Sequence, residues 1–291
     1  MKKSRTIIIV LLIVSIIFTF MVVISIYFFN QSETISDLVV QEKLRNEVTS
    51  ADINDVHIKI KPIALEEIIS EVGDFNRIEI NNNETRKSFC ENLFRQAGYE
   101  PLISDSGDVL AVKQGHSNDY IAIGAHYDKV EGPTKGLLDN MLGCILISDI
   151  AKVYKDENTN YTYLFITYTD EENGRKIGAA TSDYRTGKDG RPLYVIEIDY
   201  IGDKNGGLGG RWLSPVGGRF QKTGIKITTY PMPEIQTIHT ERDNVRNIDF
   251  YKAYLAYKTV ISLIERIEDG NDLSPPDTVN FWQKDHPLYG E

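Results

Sequence analysis

The feature that most constrains the fold is an alternation of short apolar stretches, rich in β-branched and aromatic residues, with segments of helical periodicity. The predicted buried strands are residues 120–125, 161–169 and 193–198. The predicted helices are residues 141–154, 177–184 and 248–267. Chains that alternate strand and helix bury a mostly parallel sheet between layers of helices. The sequence therefore predicts an α/β fold, as one three-layer domain over residues 61–291.

The segment before this alternation adds smaller elements to the same domain. Helices are predicted at residues 64–72 and 83–98, where Gly98 suits a helix end. Two short strands are predicted at residues 102–104 and 109–113, around a turn of Ser, Gly and Asp. The tail from Asp269 onward contains two consecutive prolines and is predicted to be irregular.

The N-terminal region is dominated by an uncharged apolar stretch at residues 7–29. Its 23 residues would form a helix of roughly 34 Å, long enough for a hydrocarbon core of about 30 Å. We therefore predict a transmembrane anchor at 7–29 in contact with the lipid bilayer, a basic stub at 1–6 and a stalk at 30–60. Because Lys2, Lys3 and Arg5 precede the anchor, the stub is expected in the cytoplasm and the domain outside.

A cleaved secretory signal is the alternative to this anchor. Such signals have an apolar region of about 7–15 residues and a cleavage site of small residues. Here the apolar stretch is longer, and no alanine occurs before Ala51. Both features favour an uncleaved anchor over a domain that is secreted after cleavage.

Charge and cysteine content narrow the classes of partner and scaffold. The formal net charge is −10, and the three basic residues before the anchor leave the rest more acidic still. This balance argues against a nucleic-acid partner, which requires clustered Lys and Arg.

Two cysteines are too few for a disulfide-dense scaffold. Cys90 has helical spacing from apolar neighbours and is expected to be a buried thiol, with a Cys90–Cys144 bridge as the alternative.

Polar residues follow each predicted central strand at the point where the strand ends. His126 and Asp128 follow the first strand, residues 170–172 (Asp-Glu-Glu) the second, and Asp199 the third, while Asp139 opens the next helix. Each has a modest explanation alone, since Asp139 could cap a helix and residues 170–172 could be a solvated turn. In such sheets, however, ligands bind at the carboxyl ends of the strands. Carboxylates gathered there repel unless a cation lies among them, so we expect a divalent metal pair.

Five motifs appear in a recognisable order. They are G-A-H-Y-D at 124–128, G-x-x-D-N-x-x-G at 136–143, E-E-x-G-x-x-G at 171–178, I-D-x-x-G at 198–202 and H-T-x-x-D at 239–243. With them the chain resembles the di-zinc aminopeptidases of the bacterial leucyl aminopeptidase type, from about residue 75 to 268. That family also includes glutamate carboxypeptidase and the animal-type glutaminyl cyclases. The resemblance implies a zinc-exopeptidase-like fold.

The resemblance also implies a role for each polar residue. Two zinc ions would share Asp139; His126 and Asp199 would complete one site, and Glu172 and His239 the other. Glu171 would be the general base, while the metal pair would polarise the scissile carbonyl and lower the pKa of the attacking water. Carboxylates that orient ligating imidazoles are common in zinc sites. Asp128 is expected to orient His126 in this way, and Asp243 to do the same for His239.

These features predict a membrane-anchored zinc metallopeptidase outside the cytoplasm, an aminopeptidase acting on peptide substrates. The alternatives are a glutaminyl cyclase-like acyltransferase, whose relatives work with one zinc, and a non-catalytic binding module on the same fold. The complete set of five ligands and a base favours hydrolysis. The chain departs from the family at Glu197, where Asn is common, and at Leu137, Leu138 and Leu142, where small residues are frequent. Residues 206–220 are expected to help line the substrate pocket.

Overall fold

The computed structural model describes residues 58–78, 81–181, 184, 190–213, 220–230 and 237–273. These residues belong to one compact unit, Asn54–Glu291. The predicted stub at 1–6 and anchor at 7–29 lie outside the described residues, as does all but the end of the predicted stalk. Among the helices that the structure describes, none is both long and apolar enough to span a bilayer.

Seven strands form one mixed sheet. They are β1 (Leu102–Ile103), β2 (Val109–Lys113), β3 (Tyr120–His126), β4 (Thr162–Tyr168), β5 (Tyr194–Ile198), β6 (Gly207–Leu213) and β7 (Thr223–Tyr230). Their order across the sheet is β1-β2-β4-β3-β5-β7-β6. The four central strands β4, β3, β5 and β7 run parallel, and the strands outside them pair antiparallel. The predicted α/β fold with a mostly parallel central sheet is confirmed.

Helices cover both faces of this sheet. They are α1 (Leu65–Asn76), α2 (Asn83–Gln96), α3 (Leu142–Tyr154), α4 (Ile177–Ala180) and α5 (Phe250–Glu268). Neighbouring residues of a strand point to opposite faces. A Cβ added to Gly124 would lie 2.7 Å from the side chain of Ile177, so this face of β3 meets α4. On the other face, the Cβ of Ala125 would lie 3.0 Å from a Cβ added to Gly143 of α3. Helices α3 and α4 therefore pack on opposite faces of β3.

Two features of the fold differ from the sequence prediction. Helix α4 has only four residues, so the predicted helix at 177–184 was too long. Strands β6 and β7 were not predicted. Strand β6 pairs with β7 along its whole length, from Gly207 opposite Tyr230 to Leu213 opposite Gly224. Residues 207–213 of the segment expected to line the substrate pocket thus form an edge strand, and pocket lining by this segment stays a prediction.

The two cysteines are free and buried. The prediction of a buried Cys90 thiol is confirmed, and the structure has no Cys90–Cys144 bridge between these two described residues. Cys144 lies on α3 beneath β3, where its thiol donates to the backbone oxygen of His126 at 3.2 Å. Helix α3 is thereby bonded to the end of the strand from which His126 projects.

Three carboxylates meet between α1 and α3, away from the ends of the central strands. Glu67, Glu71 and Asp149 each place an oxygen within 4.8 Å of the others, and Lys152 forms an ion pair with Glu67. One oxygen of Glu71 and one of Asp149 are buried without a hydrogen-bond partner. Burial raises the pKa of Glu71 to about 7 and also raises the pKa of Asp149. The folded protein therefore holds protons here that the unfolded chain releases near pH 4.

Replacing Glu71 with Gln is expected to stabilise the protein in alkaline solution. Because the folded pKa lies above the unfolded one, stability is lost as the pH rises from about 4 through 7. The Glu71→Gln variant should be about 2 kcal/mol more stable than wild type at pH 8 and nearly equal to it at pH 4. Urea unfolding at both pH values measures this difference. Glu66→Gln, an exposed change on the same helix, is the control, and an equal effect at both pH values would contradict the prediction.

Candidate metal centre

The carboxyl ends of β3, β4 and β5 bring the predicted site residues to one edge of the sheet. His126 is the last residue of β3 and pairs in register with Tyr168, the last residue of β4. Glu171 and Glu172 lie in the turn after β4, and Asp199 directly follows β5. Because these parallel strands end at the same level of the sheet, the residues that follow them lie close together.

Asp139 lies between two histidines. Its Oδ1 is 3.1 Å from Nε2 of His126, and its Oδ2 is 3.2 Å from Nε2 of His239. Donor atoms around a tetrahedral zinc ion, with bonds of 2.0–2.1 Å, are separated by about 3.3 Å. The two oxygens of one carboxylate therefore face two separate nitrogen donors at the spacing that a pair of ions would require.

A second carboxylate stands beside each histidine. Oδ1 of Asp199 is 3.2 Å from Nε2 of His126, and Oε2 of Glu172 is 3.0 Å from Nε2 of His239. The other oxygen of Glu172 is buried without a hydrogen-bond partner. Imidazole nitrogen and carboxylate oxygen are the donors that zinc takes in proteins. The structure thus brings the five predicted ligands together around Asp139, and three of them, His126, Asp139 and Glu172, place donor atoms within 4.8 Å of one another, as a group that could hold a metal ion.

The surroundings of three of these donor groups favour their protonated forms. Burial would lower the pKa of His126, but hydrogen bonds with Asp128, Asp139 and Asp199 raise it well above the usual value. The hydrogen bond with Asp139 raises the pKa of His239 as well. Burial, together with the nearby charge of Asp139, raises the pKa of Glu172. A metal ion would have to displace such protons, since it binds neutral imidazole and ionised carboxylate.

The backbone around the site adopts uncommon conformations. Asp170, Tyr200 and His239 have positive φ angles of 65°, 50° and 60°, and the peptide bond between Asp139 and Asn140 is cis. Left-handed backbone is rare for residues other than glycine, and it clusters at functional sites. Each of these residues is a predicted site residue or lies within one position of one. The Asn140 amide also donates to the backbone oxygen of Ile198 at 2.7 Å, which ties the Asp139 turn to the end of β5.

Asp128 holds two parts of the site together. Its Oδ1 is 3.3 Å from Nδ1 of His126, on the side of the ring away from the other donors. The same carboxylate accepts the backbone N–H groups of Glu171 and Glu172 at 3.2 and 3.1 Å. Asp128 therefore contacts the imidazole and fixes the turn that carries the two glutamates, and its role in orienting His126 for a metal ion stays a prediction.

Asp243 contacts the loop before Asp139. Its fully buried carboxylate accepts the backbone N–H of Leu138 at 2.6 Å and the hydroxyl of Thr134 at 3.3 Å. Burial raises its pKa to about 7. These bonds place Asp243 against the segment just before Asp139, and its role in orienting His239 stays a prediction. Its structural role is to hold the turn of the shared carboxylate.

Glu171 lies next to Glu172 with its side chain largely buried, at 13% exposure. It forms an ion pair with Lys176, whose own side chain is half exposed. Of the two glutamates in this turn, Glu172 faces His239 at 3.0 Å, whereas Glu171 forms its ion pair with Lys176.

Sequence reasoning missed two buried cations near the site. Arg86 on α2 is fully buried and donates to the backbone oxygens of Tyr127, Lys135 and Gly136 in the loop between β3 and Asp139. Lys226 on β7 is buried and forms an ion pair with Asp199. Neither residue lies in one of the five motifs. Lys226 stands between two isoleucines, a pattern that predicts a strand but not an ion pair with Asp199.

Comparison with known families confirms the family predicted from the motifs. Residues 108–208 match the sequence model of Peptidase family M28. The matched region contains His126, Asp139, Glu172 and Asp199, and it ends before His239. Over these residues the chain is similar to Peptidase family M28. A sequence comparison with curated proteins gives no significant match.

Solved structures share the fold at low sequence identity. The LapA aminopeptidase of Legionella pneumophila has a TM-score of 0.57 at 12% identity, over 72% of this chain and 73% of its own. A leucine aminopeptidase precursor from Bacteroides thetaiotaomicron has a TM-score of 0.56 at 14% identity, over 72% and 99%. Glutaminyl cyclase of the same species has a TM-score of 0.52 at 14% identity, over 71% and 99%. The chain spans half of the length of an Aneurinibacillus aminopeptidase.

Proposed function

We propose that this chain is a zinc aminopeptidase that hydrolyses N-terminal residues from peptides. The observation that carries the proposal is the position of Asp139, whose two oxygens face His126 and His239. Each histidine also has a second carboxylate beside it. The match to a peptidase family supports the class of reaction.

Two zinc ions would be held by the two donor groups. One group is His126, Asp139 and Asp199; the other is Asp139, Glu172 and His239. Bound zinc would polarise the scissile carbonyl and lower the pKa of water. The protein itself contributes fixed donors, because Asp128, Asp243 and Asn140 each anchor one part of the site.

Glu171 is the general base of this proposal. Its carboxylate would accept the proton of the attacking water and deliver it to the leaving amine. The turn that holds it is fixed through the N–H groups bonded to Asp128. In the free protein Glu171 pairs with Lys176, an exposed side chain that can move away at little cost.

A glutaminyl cyclase-like acyltransferase is the second candidate, since a glutaminyl cyclase shares the fold. The complete donor set favours hydrolysis, and it also argues against a non-catalytic binding module. The purified chain should be incubated with a panel of aminoacyl p-nitroanilides and, separately, with peptides that begin with glutamine. Release of free amino acid supports the aminopeptidase. Cyclisation of the N-terminal glutamine without release of an amino acid would replace it with the cyclase.

We further propose that the domain works outside the cytoplasm, tethered by residues 7–29. This proposal rests on the length of the uncharged stretch and on the basic residues that precede it. Membrane fractions extracted with alkaline carbonate should retain the chain, and protease added outside intact cells should remove the domain. Recovery of a shortened chain in the medium would indicate a cleaved signal instead.

Replacing Asp128 with Asn is expected to weaken zinc binding by about 10- to 100-fold. The amide loses the negative charge that orients the His126 ring and accepts the N–H groups of the glutamate turn. Competition with a chromophoric chelator measures the affinity of the purified chain. Asp105→Asn, at an exposed position, serves as the matched control. Equal affinity in the two variants would show that Asp128 does not tune the site.

A further inference from the structure

Lys226 stands at the edge of the metal centre. It lies on β7, where its partner in the parallel register of β5 is Glu197. The residue is 8% exposed, and its ammonium group forms an ion pair with Oδ2 of Asp199. Burial would lower the pKa of Lys226, but the charges of Asp199 and Glu197 raise it above the usual value. A charged lysine is thus built into the wall of the site.

The carboxylate of Asp199 therefore has two competing partners, a metal ion and the ammonium group of Lys226. Its Oδ1 is 3.2 Å from His126, as one donor of the first group, while its Oδ2 binds Lys226. A divalent ion held by His126, Asp139 and Asp199 would lie close to the ammonium group, and like charges in a buried site repel strongly. Lys226 forms its ion pair with Asp199, which is a donor of the first group and not of the second, formed by Asp139, Glu172 and His239.

Glu197 offers Lys226 another partner. Its side chain is buried at 3% exposure, and Oε1 accepts the hydroxyl of Tyr168 at 2.5 Å. Burial raises the pKa of Glu197, and Lys226 opposes that rise. A lysine that left Asp199 would still have a carboxylate on the adjacent strand, so the move would not leave a buried charge unpaired.

We propose that Lys226 makes the two metal positions unequal. The position formed by Asp139, Glu172 and His239 fills first. The position formed by His126, Asp139 and Asp199 fills only when Lys226 moves from Asp199 to Glu197. Lys226 is then a positioning residue that acts through Asp199. The inference rests on the proposed zinc binding and deepens it, because it adds an order of loading.

Zinc titration of the metal-free full chain by calorimetry tests this order. Wild type should bind two ions in two steps of unequal affinity. Lys226→Met should tighten the weaker step by at least about 10-fold, since it removes the competing charge, and should leave the tighter step unchanged. Glu197→Gln should weaken the weaker step further, because Lys226 loses its other partner. Lys226→Arg keeps the charge and should retain two unequal steps.

The outcomes separate this inference from the proposed function. Two steps of equal affinity in wild type, unaltered in Lys226→Met, would overturn the inference and leave the zinc peptidase intact. If circular dichroism shows that the Lys226→Met variant does not fold, the Glu197→Gln variant becomes the test. A weaker zinc-binding step that keeps its wild-type affinity in Glu197→Gln would overturn the inference. A correctly folded wild-type chain that binds no zinc would overturn the proposed function, and the order of loading with it.

Discussion

Replacing Glu171 with Gln is expected to lower kcat by about 100- to 10,000-fold while zinc binding is retained. The amide has the same size as the carboxylate but cannot accept the proton of the attacking water. Its backbone N–H remains bonded to Asp128, so the turn should keep its shape. The measurements are kcat on the best p-nitroanilide substrate and zinc content by atomic emission, made on the same preparation.

Glu131→Gln is the matched control for this variant, because Glu131 is an exposed carboxylate in the loop between β3 and Asp139. It should keep both turnover and zinc. Turnover near wild type in the Glu171→Gln variant would show that another group is the base. Loss of zinc from that variant would instead make Glu171 a ligand, and the roles of the two adjacent glutamates would have to be exchanged.

Replacing Asp139 with Asn is expected to remove both ions and to lower activity by at least about 1,000-fold. Both donor groups depend on this one carboxylate, whose two oxygens face His126 and His239. The amide offers only one acceptor oxygen and no charge. Zinc content should fall from two ions to none, whereas His239→Ala should lose only the ion of its own group.

Comparing Asp139→Asn with His239→Ala shows whether Asp139 serves both ions, because the loss of a ligand that is not shared should release one ion only. Asparagine has nearly the same volume as aspartate, so the fold should persist, and circular dichroism of the variant checks that it does. An Asp139→Asn variant that still binds two zinc ions would contradict the proposed sharing. So would a His239→Ala variant that loses both ions.

Strands β3, β4 and β5 could be predicted because their sequences are short apolar stretches rich in β-branched and aromatic residues. Strand β6 could not, since its sequence GLGGRWL contains three glycines, which weaken any strand prediction. It forms because β7 pairs with it along seven residues. The end of α4 was also misjudged, because four residues of helix carry too little periodicity to fix a boundary.

The five donor residues could be named from the order of the motifs, and the structure brings them together. What surrounds them depends on tertiary contacts that no motif contains. Lys226 reaches Asp199 only because β7 lies beside β5 in a register that places it opposite Glu197. The bonds of Asp243 to residues 134 and 138 could not be predicted for the same reason, because these partners are more than a hundred positions away in the chain.

The contacts of Arg86 determine which residues around the site can be substituted during evolution. All three of its bonds to the loop end on backbone oxygens, those of Tyr127, Lys135 and Gly136. Within this loop the guanidinium binds main-chain oxygens, so it recognises the path of the loop and not its side chains. The exposed side chains of Glu131 and Pro133 can therefore be exchanged while the shared carboxylate stays where it is.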